Sequence, residues 1–415
     1  MAIGRMLWAA LILAGCLAAA TAARAAEPIK IGFGMALTGG LAAIGKSALL
    51  AMKIWEEDVN LKGGLLGRPV KLVYYDDQSN PATVPALYTK LIDVDKVDIT
   101  VSGYATDMVA PAMPIMIQRD RLFLGLFALA VNSKYHYPKY FSMLPTGPDP
   151  ARAFAEPFFD VAMTGNPKPK TLAIVGADAE YPQTALGGAR ELAKQYGLNI
   201  VYDRLYPPQT TDFAPIVRAV QAARPEIVFV ASYPPDSVGM VRAAHEVGLK
   251  TRYFGGMVGL QILSIKQQLG PMLNGVLDYD WWLPIEKMQF PGVAEFLKTY
   301  QGRAQSEGVD PLGWHLPPFA YANMQVLQQA IESTQGLDQE QLDDWIRGHT
   351  FTTVVGDVSY GKDGEWAKPR VLEVQFQNIT GNGIEQFKTP KTEVVLSPPE
   401  FKTGEVQAPY SDIKK

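Results

Sequence analysis

The chain has 415 residues, a formal net charge of −4 and one cysteine, Cys16. This length exceeds what one hydrophobic core usually spans and predicts two domains, and the slightly acidic balance gives no support for nucleic-acid binding. A lone cysteine excludes a disulfide within the chain and a zinc site built from several thiolates.

The first 25 residues have the pattern of a signal peptide. Arg5 supplies a positive start, residues 6–20 form an apolar run too short for a secure membrane span, and residues 23–25 (ARA) offer a cleavage site. A second interpretation stays open, because residues 13–16 (LAGC) have the form of a lipoprotein box in which Cys16 would carry a lipid anchor. Both interpretations predict export from the cytoplasm, with no membrane-spanning segment later in the chain.

Strand-like and helix-like segments then alternate up to residue 134. After the first strand, apolar residues recur at steps of three or four from Leu41 to Val59, which predicts an amphipathic helix. Further helices are predicted around Tyr88 and from Met108 to Met116. This alternation indicates βαβ units and an α/β fold with a parallel sheet. The predicted strands are Ile29–Met35, Val70–Asp76, Ile99–Val101 and Leu122–Gly125.

The segment Tyr135–Pro150 is rich in proline and is predicted to be a linker or crossover rather than a regular element. The alternation then restarts and predicts a second doubly wound domain. Its predicted strands are Leu172–Val175, Asn199–Tyr206, Ile227–Ala231 and Tyr253–Gly255, and its helices are Tyr181–Tyr196, Phe213–Ala223 and Asp236–Val247. From Val276 a strand and three helices follow, and residues 352–390 are predicted to form short strands and turns.

One motif suggests nucleotide binding. Gly40–Ser47 fits the phosphate-loop pattern G-x-x-x-x-G-K-S, and Asp76 follows a strand as a magnesium-binding acid would. However, the variable positions 41–44 are all apolar and continue the helix periodicity. We therefore expect the start of a packed helix, with Lys46 and Ser47 facing solvent, and no nucleotide cofactor.

The signals for an enzyme are weak. Gly32 and Gly34 begin like a dinucleotide fingerprint, but Leu37 occupies the place of its third glycine. The four histidines show no metal-ligand spacing, and neither H-E-x-x-H nor G-x-S-x-G occurs. We expect a protein that is not an enzyme, with no cofactor and no bound metal.

A set of aromatic and small residues follows the predicted strand ends. Ligands of open α/β sheets bind outside the carboxyl ends of the strands, so these residues are candidates for a ligand pocket. Aromatic rings with a few hydrogen-bonding groups are typical of small-molecule sites. The predicted site residues are Tyr104, Thr106, Phe127, Ala128, Tyr181, Tyr233, Met257 and Trp281.

Several segments resemble one known family in the expected order. They are Ile29–Asp77, Tyr181–Arg190 (YPQTALGGAR), Thr211–Phe213 (TDF) and Phe351–Tyr360 (FTTVVGDVSY). They look like the leucine/isoleucine/valine-binding family, the type I periplasmic binding proteins of ABC importers. The resemblance implies two doubly wound parallel-sheet lobes, joined by a hinge of three crossings, that close on a small-molecule ligand. It also implies a periplasmic location and permease subunits as partners, with membrane contact only through the permease or a lipid on Cys16.

The resemblance further implies lobe boundaries. The first lobe would hold residues 27–147 and 276–350, and the second would hold residues 148–275 and 351–390. Residues 1–25 would be the signal peptide and residues 391–415 a C-terminal tail. The first crossing between the lobes would lie within Tyr135–Pro150.

The family's binding residues can be matched in part. Thr106 matches a hydroxyl residue of the third strand-to-helix loop, and Tyr181 and Tyr233 match loop aromatics. Met257 stands near the place of the acid that pairs with the ligand's α-amine, and residues 127–130 (FALA) are apolar where a second Ser or Thr is usual. We therefore expect a solute that is an apolar or aromatic carboxylate, or is amino-acid-like. A sensor of the same fold that docks a receptor or regulator is the alternative.

Overall fold

The computed structural model describes residues 26–415, and its first sheet forms one lobe. This sheet has the order β2-β1-β3-β4-β5 and is parallel throughout. Its strands are β1 (Ile29–Met35), β2 (Val70–Asp76), β3 (Ile99–Tyr104), β4 (Phe123–Leu126) and β5 (Tyr140–Ser142).

A larger sheet forms the second lobe. Its seven strands have the order β14-β13-β10-β9-β8-β6-β7, with β13 antiparallel to both of its neighbours, and β11 and β12 form a separate hairpin. The strands are β6 (Thr171–Ala177), β7 (Asn199–Tyr206), β8 (Ile227–Ala231), β9 (Tyr253–Met257), β10 (Val276–Asp280), β11 (Phe351–Thr353), β12 (Gly356–Val358), β13 (Leu372–Phe376) and β14 (Glu393–Ser397).

Helices alternate with these strands, as the sequence predicts. They are α1 (Ala42–Leu61), α2 (Val84–Asp93), α3 (Thr106–Val109), α4 (Met113–Gln118), α5 (Asn132–Tyr135), α6 (Pro150–Ala162), α7 (Glu180–Tyr196), α8 (Ala214–Ala223), α9 (Pro234–Val247), α10 (Leu263–Leu269), α11 (Val293–Glu307), α12 (Pro317–Thr334) and α13 (Gln339–Gly348). Among residues 26–415, none of them has the length and apolarity that crossing a membrane requires.

The segment that fits the phosphate-loop pattern is the packed start of α1. Leu41 and Ile44 are buried, which confirms the predicted apolar stripe. A Cβ on Gly45 would lie 2.0 Å from the Ala36 carbonyl oxygen, so the glycine serves close packing of helix on strand. The prediction for Ser47 is wrong: the residue is buried, and its hydroxyl donates to a carbonyl one turn earlier (2.9 Å). The Ser47 hydroxyl is therefore used by a hydrogen bond within the fold and is not open to a phosphate.

The proline-rich segment Tyr135–Pro150 contains an element that the sequence analysis missed. Tyr140–Ser142 is the edge strand β5, and Phe141 pairs with Leu124 of β4. A three-residue strand is too short to show a periodicity, and only its pairing defines it. The chain passes to the second lobe after β5, where α6 packs against α7.

Strand pairing also corrects the expected lobe boundaries. The chain was expected to return to the first lobe at residue 276, but β10 lies between β9 and β13 in the second sheet. It re-enters the first lobe only afterwards, where α12 packs against α1. The hairpin from Phe351 belongs to that lobe too, since the Gln325 side chain of α12 accepts the Val354 N–H (2.9 Å).

The return to the second lobe is therefore β13, which starts at Leu372 rather than at residue 351. The expected tail contributes the strand β14, and the Tyr410 N–H donates to the Arg252 carbonyl (2.9 Å). The chain still crosses between the two sheets three times, as the resemblance implies. The predicted signal peptide, its cleavage site and Cys16 lie outside the described residues.

Candidate ligand site between the lobes

A small cavity lies between the lobes at the carboxyl ends of the strands. It has about 30 Å³ of space for water. The first lobe contributes the loops after β3 and β4, and the second contributes α6, the starts of α7 and α9, and the end of β10. The lining residues are Tyr104, Ala105, Thr106, Phe127, Leu129, Leu144, Phe154, Tyr181, Tyr233, Val258, Trp281 and His315.

Six of the eight predicted site residues line this cavity: Tyr104, Thr106, Phe127, Tyr181, Tyr233 and Trp281. Ala128 is fully buried beside it in the chain but is not part of the lining. Met257 does not reach the cavity, because it ends β9 with its side chain inside the hydrophobic core of the second lobe. That these residues bind ligand stays a prediction.

The wall from the first lobe is built from strained loops. Ala105 and Phe127 have φ angles of 90° and 51°, in a region that residues with side chains rarely adopt. Such conformations cost about 1–3 kcal/mol each and cluster at functional sites. The Leu129 N–H donates to Thr106 Oγ1 (2.9 Å), which ties the two loops together. The Thr106 hydroxyl proton finds no acceptor within the described chain and can be donated to a ligand oxygen.

Aromatic rings surround the cavity, with one contact between the lobes and further contacts within the second lobe. Phe127 lies 5.3 Å from Trp281 between ring centroids, Phe154 lies 5.7 Å from Tyr181, and Tyr181 lies 5.0 Å from Tyr233. Edge-to-face and tilted contacts of this kind are favourable and leave ring faces for a flat ligand. The arrangement suits an apolar body better than a strongly hydrated one.

Two important lining residues were missed from the sequence. Phe154 belongs to α6, whose apolar residues Phe154, Phe158 and Val161 are spaced as on a helix face but were hidden in a proline-rich context. His315 follows a loop far along the chain, and its Nδ1 lies 3.2 Å from Asp280 Oδ1. No local pattern marks His315, because only the tertiary fold brings it to the cavity.

A contact between the lobes lies beside the cavity. The Tyr181 N–H, in the first turn of α7, donates to Asp107 Oδ1 of the first lobe (3.1 Å). Burial raises the pKa of Asp107, and this hydrogen bond opposes the rise. The contact can exist only when the lobes are closed.

A second cavity of similar size lies on the other side of His315. Its lining combines apolar side chains with several charged groups, including the buried ion pair of Lys266 Nζ and Glu393 Oε1 (3.1 Å), and we call it the charged cavity. Burial raises the pKa of Glu393, and the neighbouring Lys266 ammonium opposes the rise. No group of three or more possible metal-ligating side chains occurs among residues 26–415.

Comparison with known proteins identifies the family. A family model described as "Periplasmic binding protein" matches residues 28–374. The chain therefore belongs to the periplasmic binding protein family. This membership confirms the predicted fold and the expectation of a binding protein rather than an enzyme.

Individual relatives are distant but cover most of the chain. The Leu/Ile/Val-binding protein of Escherichia coli (strain K12) is 24% identical over 367 residues, which are 85% of this chain and 92% of that protein. The crystal structure of a leucine-binding protein from Thermotoga maritima has a TM-score of 0.73 and 19% identity, covering 84% of this chain and 96% of its own. A solute-binding protein from R. palustris in complex with 4-hydroxybenzoate has a TM-score of 0.69 and 21% identity, covering 86% and 94%.

Proposed function

We propose that the protein captures a small carboxylate with a flat, apolar body and delivers it to the permease of an ABC importer. The observation that carries this proposal is the lining of the interlobe cavity. It is aromatic on both lobes, and among its described lining residues there is no acidic side chain. Pockets of this composition favour an apolar ligand fixed by a few polar groups.

The absence of a lining acid disfavours a free amino acid. A zwitterion carries an ammonium group that is costly to bury without a carboxylate partner. The position expected to hold that acid is Met257, whose side chain lies in the core. An aromatic or other apolar carboxylate has no ammonium to satisfy.

Groups that can hold a carboxylate are present. The Thr106 hydroxyl has a free proton, and His315 is the one lining side chain that can carry a positive charge. Aromatic rings such as Phe127 and Trp281 would flank the ligand body. Both ligand classes occur on this fold, since one structural neighbour is a leucine-binding protein and another holds 4-hydroxybenzoate. The composition of this cavity supports the second class.

Closure of the lobes would trap the solute. Two lobes joined by three crossings can move as rigid bodies about a hinge. The bond from Tyr181 to Asp107 would form as they close. We expect small-angle X-ray scattering to show a smaller radius of gyration when the ligand is added. An unchanged profile at saturation would contradict hinge closure.

A thermal-shift panel followed by calorimetry tests the ligand class. We expect benzoate- and cinnamate-type acids to raise the melting temperature and leucine, isoleucine and valine to leave it unchanged. Tight leucine binding without any response to the acids would overturn the proposal. Uptake of the identified acid by cells, lost when the gene is deleted, would favour a transport role over the sensor alternative.

A further inference from the structure

A positive charge without a counter-charge lies where the three crossings between the lobes meet. The crossings are residues 143–149, 281–292 and 359–371. Arg370 of the third crossing is half-buried as a residue, but its Nε and Nη2 are fully enclosed and have no hydrogen-bond partner among residues 26–415. Burial lowers the pKa of Arg370 to about 10. Enclosed charged groups are costly unless they are paired, so this one requires an explanation.

All three crossings contribute to the surroundings of Arg370. Its backbone N–H donates to the Pro145 carbonyl of the first crossing (2.7 Å). Its Cζ lies 5.0 Å from the ring centroid of Trp366, 5.2 Å from that of Phe290 in the second crossing and 5.9 Å from that of Phe319 in α12. Cation–π contacts of this kind fix the guanidinium in place, but they offer no acceptor to N–H groups that point along its plane.

Two further hydrogen-bond donors of the same crossings are enclosed without partners. Thr146, which follows Pro145, is 0% exposed, and Trp366 is 4% exposed. The Thr146 hydroxyl and the Trp366 indole N–H are both unpartnered in the described chain. We call Thr146, Trp366 and Arg370 the hinge cluster. An indole and a guanidinium only donate hydrogen bonds and a hydroxyl can donate one, so the cluster matches an anion.

The acid that precedes Arg370 in the same crossing does not supply the counter-charge. Both oxygens of the buried Glu365 carboxyl are themselves without partners among residues 26–415. This carboxyl neighbours Tyr140 and Tyr360 and contributes to the raised pKa of each hydroxyl. Burial raises the pKa of Glu365 to about 8, so the carboxyl is mostly protonated at neutral pH and carries little negative charge.

We propose that the hinge cluster binds a small carboxylate as the counter-ion of Arg370. Nε and Nη2 lie on one edge of the guanidinium and form the fork that receives both oxygens of a carboxylate. The bound anion would also link the first and third crossings and so steady the hinge. It is either a free carboxylate or the carboxylate of the captured solute, since Leu144 of the ligand cavity lies two residues before Thr146. The site itself does not depend on the proposed function.

Thermal unfolding in the presence of small carboxylates tests the site. Sodium formate or acetate is titrated into the protein while sodium gluconate, too bulky for an enclosed site, holds the ionic strength constant. We expect the melting temperature to rise by about 2 °C or more and to reach a plateau, as for one saturable site. An absent rise, or one that never saturates, would overturn the proposal.

Substitutions assign the response to the hinge cluster. Arg370→Met replaces the charge with an apolar side chain between the rings, and the carboxylate response should disappear. Arg119→Met is the matched control, because Arg119 already pairs with Asp93 at the surface (2.7 Å), and it should keep the full response. A response that persists in Arg370→Met would overturn the proposal.

A second variant keeps the test decisive if Arg370→Met does not fold by circular dichroism. Arg370→Lys keeps the charge but loses the fork, so the acetate concentration at half-saturation should increase about tenfold. An unchanged half-saturation would overturn the proposal.

Calorimetry with the solute distinguishes the two sources of the carboxylate. A solute whose own carboxylate occupies the hinge cluster should compete with acetate and lose about tenfold or more affinity in Arg370→Met. A site for a free carboxylate should leave solute affinity unchanged in both tests. Both results support the site. If the solute proves not to be an apolar carboxylate, the proposed function fails alone, because the acetate response needs no solute.

Discussion

Two cavities of about 30 Å³ share His315 and differ in how their polar groups are satisfied. In the charged cavity, the ammonium of Lys266 contacts Glu393 at 3.1 Å. Both carboxylate oxygens of Asp310 accept backbone N–H groups, at 2.7 and 2.8 Å. The charged groups of this cavity thus have partners within the fold.

The aromatic cavity shows the opposite pattern. Its rings pack well, but the hydroxyl of Tyr181 and, one layer below, that of Tyr279 have no partner in the described chain. Its loops hold strained residues such as Phe127, with φ at 51°. We infer from this difference that the charged cavity supports the fold, and it favours the proposal that the aromatic cavity receives the ligand.

The largest expected effect concerns the charged cavity. Lys266→Met removes one partner of an ion pair whose side chains are both 2% exposed, and it leaves Glu393 buried without its counter-charge. We expect the free energy of unfolding to fall by about 3 kcal/mol in urea denaturation. Ligand affinity should change by less than about twofold, since the pair only supports the fold.

The matched control is the double variant Lys266→Met/Glu393→Met. It removes both charges, and we expect it to recover most of the lost stability. If Lys266→Met lost ligand affinity but kept its stability, the charged cavity would take part in ligand binding, and the proposed difference between the two cavities would be wrong.

A smaller effect is expected at the aromatic cavity. Thr106→Val removes a hydroxyl that accepts the Leu129 N–H and can donate to the ligand, so stability and affinity should both fall by about 1–2 kcal/mol. Thr100→Val is the control, because the buried Thr100 hydroxyl donates to the Leu122 carbonyl (2.7 Å) away from the cavity. It should lower only the unfolding free energy. Equal affinity losses in both variants would contradict a ligand role for Thr106.

The smallest effect concerns pH. Burial in the closed form raises the pKa of Asp107 above its ordinary value of 3.8, and opening of the lobes would return the carboxyl to water. The closed form therefore binds more protons than the open form. Ligand affinity, measured by calorimetry, should be greatest at low pH and should fall as pH rises through the pKa of Asp107 in the closed form. Glu180, which also faces Asp107, adds to the rise. The decrease should vanish in Asp107→Asn, which has no titratable carboxyl. If the affinity of Asp107→Asn still falls with rising pH, a different titratable group causes the pH dependence.

Local sequence pattern predicted the central elements well. The bounds of β1, β2, β7 and β8 agree with the predicted strands because glycine, proline and other turn residues flank them on both sides. The sequence analysis missed β5 and β14. Both strands are defined by their pairing with distant segments rather than by a local pattern. The error at residue 276 has the same origin, since no local feature tells which sheet a strand will join.

The site residues could be predicted where they lie just after the end of a strand. That rule found Thr106, Phe127 and Tyr181 among others, but it failed for Met257, whose side chain points into the core instead. His315 could not be recognised, because no local pattern marks a residue that only the tertiary fold brings to the cavity. Such information exists only in the packed structure.

The ligand class is tested most directly by identifying what the protein carries. The protein should be purified without denaturation from its native host or from cells fed aromatic acids, and the small molecules released by heat should be identified by mass spectrometry. The proposed function predicts a carboxylate with a flat, apolar body, in near-stoichiometric amount. Release of leucine, isoleucine or valine instead would contradict it.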